Sequence, residues 1–220
     1  MNREDVRARI DEIGILPSVR VTSQDVARFA AETVYAAGIP IVEITMTTPG
    51  ALEVINDLST RYPDMVVGAG TILDEEIAKQ CVDAGARFLT SPGFVPEVVA
   101  YAKRVGVAAM PGALTPSEVI AAWKAGADFV KLFPTGHIGG VHYLRAIKVP
   151  LPQIPLIATG GVNQLTTSDF IVAGAAAVGL GSELLPKEAL HLRQTHRIRE
   201  LAGRFLHMVK EGRVRRQTYS

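Results

Sequence analysis

The sequence is poor in several features that define whole classes of protein. Only one cysteine, Cys81, stands among its 220 residues, so no internal disulfide can brace the fold. No apolar run approaches the roughly 20 residues that a membrane-crossing helix needs. The opening stretch, MNREDVRARIDEI, mixes both charge signs and lacks the apolar segment of a signal peptide. The expectation is a soluble, cytoplasmic protein with no membrane partner. Formal net charge is +1, which provides no global attraction to nucleic acid. The first apolar run, ILPSVRVTS, has no glycine-rich dinucleotide motif after it.

One region departs from this neutrality. After Leu192 come Arg193, Arg197, Arg199, Arg204, Lys210, Arg213, Arg215 and Arg216. An RNA-binding extension uses such clusters. Here Ile198, Leu201, Phe205 and Met208 recur among the charges at helical spacing, which predicts an amphipathic last helix with a solvated basic face.

What is present is a regular alternation of short apolar runs with helical stretches. Strands are predicted at residues 15–20, 41–45, 65–69, 88–91, 107–110, 129–133, 155–159 and 176–181. Ala37-Gly38, Ala84-Gly85, Ala125-Gly126 and Ala173-Gly174 each close a helical stretch shortly before a strand, where a left-handed glycine commonly ends a helix. Gly85, Gly106 and Gly126 follow one another at 21 and 20 residues. The strand runs are apolar over most of their length, as in a parallel sheet covered by helices on both faces. Eight βα units without a dinucleotide motif predict one (β/α)8 barrel domain over residues 1–220, with a short N-terminal helix and a basic C-terminal helix and tail.

The chemistry shows as polar residues where they are costly. Six of the seven lysines fall on helical stretches or their ends, and only Lys131 lies within a strand run, FVKLFP. Burying an ammonium favours the neutral amine, the form that attacks a ketone; a lysine salt-bridged across the barrel is the other reading. Glu43, in IPIVEIT, is the matching anomaly, a counter-ion, a proton shuttle or both. Strands two and six face each other across an eight-stranded barrel, so both side chains can meet on its axis. Arg20 ends the first strand, where its planar fork can hold a carboxylate or simply begin a surface loop.

Strand seven ends in Thr159-Gly160-Gly161 and strand eight in Gly179-Leu180-Gly181-Ser182. Glycines at these two strand ends let backbone N–H groups close on a phosphate. Gly68-Ala69-Gly70-Thr71 leaves room at the mouth, and Ser91-Pro92-Gly93 is compatible with a rim. His137 and His142 are five apart with two glycines between them and no partnering carboxylate, so no metal site is predicted.

Taken in order, Val42-Glu43-Ile44-Thr45, Gly68-Ala69-Gly70-Thr71, Ser91-Pro92-Gly93, Pro111-Gly112, Lys131-Leu132-Phe133-Pro134, Thr159-Gly160-Gly161 and Gly179-Leu180-Gly181-Ser182 resemble the bacterial 2-keto-3-deoxy-6-phosphogluconate (KDPG) aldolases, a family overlapping with 4-hydroxy-2-oxoglutarate aldolase. The resemblance implies a trimeric barrel without cofactor. It also implies reversible cleavage of a phosphorylated 2-keto-3-deoxy sugar acid to pyruvate and glyceraldehyde 3-phosphate. It implies Lys131 as the Schiff-base lysine and Glu43 as the general acid/base. Thr71 would contact the pyruvate part and Phe133 pack against it, Pro92 would bind substrate, Thr159 would stand at a position tied to stereochemical preference, and Gly160, Gly161, Gly181 and Ser182 would hold the phosphate. Many relatives carry an arginine where this chain has Thr47, and Arg20 resembles the alternative source of that guanidinium. Other readings are a galactonate-series or 4-hydroxy-2-oxoglutarate aldolase or decarboxylase, a phosphosugar isomerase or epimerase with Glu43 as base, and a non-catalytic phosphate-binding barrel.

Overall fold

The structure is a computed structural model describing residues 1–219. Its nine strands are β1 (Ile15–Val19), β2 (Ile41–Thr45), β3 (Val66–Gly70), β4 (Phe88–Thr90), β5 (Ala108–Met110), β6 (Gly112–Ala113), β7 (Val130–Leu132), β8 (Leu156–Thr159) and β9 (Ala177–Leu180). All pairings are parallel, in the order β5-β4-β3-β2-β1-β9-β8-β7-β6. The two ends of that order, β5 and β6, are separated in the chain only by Pro111. Proline has no N–H to give the ladder, so the fifth barrel strand is interrupted there while its halves serve different neighbours. The sheet therefore closes with eight strand positions, and the chain is a (β/α)8 barrel.

Helix α1 (Arg3–Ile13) precedes the barrel; α2 (Gln24–Ala36), α3 (Ala51–Arg61), α4 (Glu75–Asp83), α5 (Pro96–Val105), α6 (Pro116–Ala125), α7 (Gly140–Lys148) and α8 (Thr167–Val172) follow successive strands. Two more, α9 (Lys187–His191) and α10 (Thr195–Tyr219), come after β9. Local chemistry explains several boundaries. Ser23 and Asp74 cap α2 and α4, and Thr115 with Glu118 forms a capping box ahead of Pro116. The repeated glycines Gly85, Gly106 and Gly126 have φ of +106°, +73° and +101°, the left-handed turn anticipated from their spacing.

Inside the barrel the side chains form two levels with different chemistry. Leu16, Ile41, Val66, Phe88, Phe129 and Ile157 point inward near the strand starts and pack as one apolar cluster. Val6 and Ile10 of α1 belong to the same cluster, so the helix stops the lower end of the barrel. Two residues further along several strands, the inward positions become Ser18, Glu43, Gly68, Thr90, Lys131 and Thr159. Glycine takes some of these places because larger neighbours need the space: a Cβ at Gly68 would overlap the Phe88 ring, and one at Gly179 would overlap Thr159. The strands, apolar over most of their length as expected, thus carry a polar upper level that extends beyond Lys131 and Glu43.

The C-terminal helix partly departs from expectation. Ile198, Leu201 and Phe205 are buried and Met208 half-buried, as their spacing requires. The basic face is not left wholly to solvent. Arg213 donates to the carbonyls of Asp11 and Glu12, Arg215 pairs with Asp169 at 3.1 Å, and Arg216 reaches the carbonyls of Ile171 and Ala175. These arginines clasp α10 to the barrel and to the end of α1.

Asp128 ties the other end of α1. It is buried, accepts from Arg3 Nε at 2.8 and 3.0 Å and from the Ala109 N–H at 2.8 Å, and has Arg7 Nε at 3.7 Å. Replacing it by alanine strands a buried N–H and two cations. We expect Asp128→Ala to cost about 2–3 kcal/mol, less than a fully buried pair because Arg3 retains access to water. The urea-unfolding midpoint measures this; an unchanged midpoint contradicts the anchoring role.

Candidate active site

The polar level of the barrel assembles around two charges. Lys131 on β7 and Glu43 on β2 are 8% and 1% exposed, with Lys131 Nζ 3.4 Å from Glu43 Oε2. The lysine is held from below by its own strand, where its N–H donates to the Pro111 carbonyl at 2.9 Å. The carboxylate is held from both sides: Ser18 Oγ donates to Oε1 and Thr90 Oγ1 to Oε2, each at 2.8 Å. Thr90 Oγ1 also lies 3.5 Å from Nζ. Gly70 supplies the room, since a Cβ there would run into the Glu43 carboxyl. A buried ion pair remains costly unless its remaining lone pairs are satisfied, and the two hydroxyls meet that requirement. The Phe133 ring centroid lies 6.0 Å from Nζ.

Arg20 follows β1 at the barrel mouth. Its guanidinium donates to Thr47 Oγ1 at 3.1 Å and to Thr71 Oγ1 at 3.2 Å. Thr47 is fixed in turn by Thr45 at 3.0 Å, and Thr45 donates to the Val19 carbonyl. Thr71 adopts φ +64°, a costly conformation for a β-branched residue that points to a constrained site. The fork is thus held in place by two threonines, with further N–H donors available to an anion. Thr47 thus orients Arg20.

A cavity of about 300 Å³ opens over this group, walled by Ser18, Arg20, Lys131, Phe133 and Thr159. Gly160, Gly161, Gly181 and Ser182 form its glycine-rich end. Gly160 and Gly161 have φ of +80° and +86°, and the Gly136 N–H donates to the Gly160 carbonyl at 2.7 Å, so the loop after β7 braces the loop after β8. A Cβ on Gly136 would come within 2.7 Å of Gly161 Cα, which is why the two loops can pack backbone to backbone. Thr159 Oγ1 is buried without a hydrogen-bond partner in the protein. An unsatisfied hydroxyl of this kind costs about 1–3 kcal/mol, and this one lies against Gly179 at the cavity wall.

Most of the residues singled out in the sequence therefore converge on one cavity. Glu43 lies beneath it against Lys131, and Thr71 reaches it through Arg20. Pro92 is the exception: it is exposed after β4 and does not line the cavity, although its carbonyl packs where a Cβ on Gly112 would otherwise stand. His137 and His142 are exposed. Among the described residues no three His, Cys, Asp or Glu side chains gather as a metal site. Cys81 is buried beside Met46, and burial pushes its thiol up to about 12, which keeps it protonated and unreactive. Sequence reasoning missed Ser18 and Thr90. Their available signal was parity, since each stands two residues after a large inward-facing side chain, Leu16 or Phe88.

Comparison with known proteins agrees with this geometry. The family model for KDPG and KHG aldolase matches residues 6–201. A 2-dehydro-3-deoxy-phosphogluconate aldolase of Pseudomonas aeruginosa is 35% identical over 191 residues, which cover 84% of this chain and 86% of that one. The crystal structure of a KDPG aldolase from Legionella pneumophila, with pyruvate captured as a covalent carbinolamine intermediate, is similar at TM-score 0.83 and 30% identity, covering 89% of this chain and 95% of that one. A cube-shaped protein cage designed by fusing symmetric oligomeric domains includes a chain similar at TM-score 0.85 and 27% identity, covering 94% of this chain and 76% of its own length. With the match running across almost the whole barrel, this chain belongs to the KDPG and KHG aldolase family.

Proposed function

We propose that the chain is a class I aldolase that reversibly cleaves 2-keto-3-deoxy-6-phosphogluconate, or a close 2-keto acid relative, to pyruvate and glyceraldehyde 3-phosphate. The observation that carries this reading is the Lys131 amine, buried against Glu43 at the floor of a cavity whose far end is glycine-rich. An amine so placed attacks the C2 ketone, and loss of water gives an iminium. Glu43 then takes the proton of the C4 hydroxyl as the C3–C4 bond breaks. The aldehyde leaves, the electron pair passes into the enamine of pyruvate, and C3 protonation and hydrolysis free the second product and the lysine.

The other residues divide the substrate between them. Arg20, held by Thr47 and Thr71, is suited to the carboxylate, and Phe133 offers an apolar face beside the imine. The unpartnered Thr159 hydroxyl is suited to a substrate hydroxyl, a contact through which gluconate and galactonate series would differ. Gly160, Gly161, Gly181 and Ser182 are suited to the phosphate, where backbone N–H groups accept an anion without a bulky side chain in the way. We assign one barrel domain, with α1 and α10 as its accessories. A homotrimer follows from the family resemblance and is in keeping with the similarity to a cage assembled from symmetric oligomeric domains. A cytoplasmic setting fits metabolite-sized substrates and a lone thiol; among the described residues no helix is long and apolar enough to cross a membrane.

Incubation with pyruvate and borohydride is expected to add the mass of one reduced pyruvate adduct at Lys131, located by peptide mass spectrometry. Labelling elsewhere, or none, removes the Schiff-base reading. Arg20→Ala is expected to raise KM for the keto acid about 10–100-fold, the loss of a charge-assisted hydrogen-bond pair, with a smaller effect on kcat. Arg20→Lys recovers the charge without the fork and falls between the two. Steady-state kinetics with phosphorylated substrate measures both, and an unchanged KM in Arg20→Ala excludes carboxylate binding by Arg20.

A further inference from the structure

Ser18 and Thr90 have no part in the mechanism as derived so far, yet they make the shortest contacts to its proton-transfer group. Resting on Lys131 as the imine-forming amine, we infer that Thr90 relays the proton between that amine and Glu43, while Ser18 holds the carboxylate in the relay orientation.

The order of donors and acceptors points to a relay: Nζ donates to Thr90 Oγ1, and Thr90 Oγ1 donates to Glu43 Oε2. Nζ and Oε2 are 3.4 Å apart, longer than the roughly 2.7–2.9 Å of a charge-assisted hydrogen bond. Thr90 Oγ1 is no nearer to Nζ, at 3.5 Å, but its own 2.8 Å hydrogen bond to Oε2 already commits its hydrogen to the carboxylate. A hydroxyl donates one hydrogen and keeps two lone pairs. Thr90 therefore gives its hydrogen to Oε2 and has an acceptor to offer Nζ.

Attack of Nζ on the ketone forms the C–N bond and leaves the nitrogen with an extra proton. That proton moves to Thr90 Oγ1 as the Thr90 hydrogen moves to Glu43 Oε2. The products are a neutral carbinolamine nitrogen, an unchanged threonine hydroxyl and a protonated Glu43. Glu43 then returns its proton to the carbinolamine hydroxyl, which departs as water while the nitrogen lone pair forms the iminium. Nothing is oxidised or reduced, and the carboxylate is restored.

Ser18 acts on the other oxygen. Its 2.8 Å contact to Oε1 leaves the carboxylate held at both ends, so it does not rotate away from Thr90. Both hydroxyls stand above packed inward residues of their own strands, Leu16 and Phe88, which fix their height in the barrel. Ser18 is thus a positioning residue, and Thr90 a catalytic one that touches the reacting nitrogen.

Quenched-flow trapping with pyruvate and borohydride separates this role from simple satisfaction of a buried carboxylate. Thr90→Val keeps the shape and removes the hydroxyl; it is expected to slow imine formation about 10²-fold while reaching the same final extent of labelling. Thr90→Ser is expected to restore most of the rate. Ser18→Ala is expected to slow exchange of the pyruvate methyl hydrogens with deuterated solvent, a readout of Glu43 after the imine has formed. Wild-type trapping rates in mixed light and heavy water are expected to bow with deuterium fraction, since two protons move together. Trapping of Thr90→Val at the wild-type rate overturns the relay, as does a linear wild-type isotope plot if that variant fails to fold. Exchange in Ser18→Ala at the wild-type rate overturns the positioning role. Failure of the wild-type protein to be trapped at all would instead overturn the assignment of Lys131.

Discussion

The pairing of Lys131 with Glu43 inside the barrel is the constraint to which the rest of the structure answers. Two opposite charges taken from water lose more hydration than their mutual attraction restores unless other groups complete their hydrogen bonding. Ser18 and Thr90 complete it for the carboxylate, and Gly70 makes space for it. Beneath, Phe88, Phe129 and their neighbours make a dry floor. Above, Lys131 lines the cavity, so the amine is open to a ligand from that side. The pair is thus isolated from solvent on the side where water would quench it and accessible on the side where chemistry is useful.

Around this centre, several groups hold arrangements that are unfavourable taken singly. Thr71 has a left-handed backbone and Thr159 a buried hydroxyl without a partner. Neither helps the fold by itself. Both are tolerated because the closed sheet and its packed interior fix their positions regardless, and they border the cavity or the Arg20 guanidinium beside it. Local cost of this kind, concentrated at one end of an otherwise relaxed barrel, marks where binding energy is available to a ligand that relieves it.

Much of this was legible in the sequence because charges inside apolar runs are rare events. Lys131 and Glu43 stand out without any knowledge of the fold, and the spacing of Gly85, Gly106 and Gly126 announces the βα period. The strand 7 and 8 glycines likewise declare a backbone approach. Parity with Leu16 and Phe88 was the one signal for Ser18 and Thr90, and it is weak, since a small hydroxyl is ordinary on either face of a strand. Which face it takes depends on register, and register is set by partners far away in the chain. Arg20 could be placed at the mouth, but its hold on Thr47 and Thr71 depends on β1, β2 and β3 lying side by side. Pro92 fell outside the cavity for the same reason: the rim is wide, and sequence order does not say which part of it faces the lysine. The broken fifth strand was not legible: the sequence reads as a strand ending at Met110 with Pro111-Gly112 as the turn after it, whereas β6 resumes at Gly112.

The stopper helix α1 carries a consequence for how the molecule comes to exist. Its anchor, Arg3 to Asp128, joins residues 125 positions apart, and Arg213 reaches back 201 positions to the carbonyl of Glu12. Contacts of such separation close late, because the entropy of a long loop opposes them until most of the chain is in place. Helix α1, which precedes every barrel strand in the sequence, is therefore among the last elements to settle. Until α1 docks, the apolar lower cluster has one open end, and the exposed rings of Phe88 and Phe129 would be a sticky surface for other chains. Order of synthesis and order of assembly run in opposite directions here, which makes the N-terminal helix the latch of the barrel.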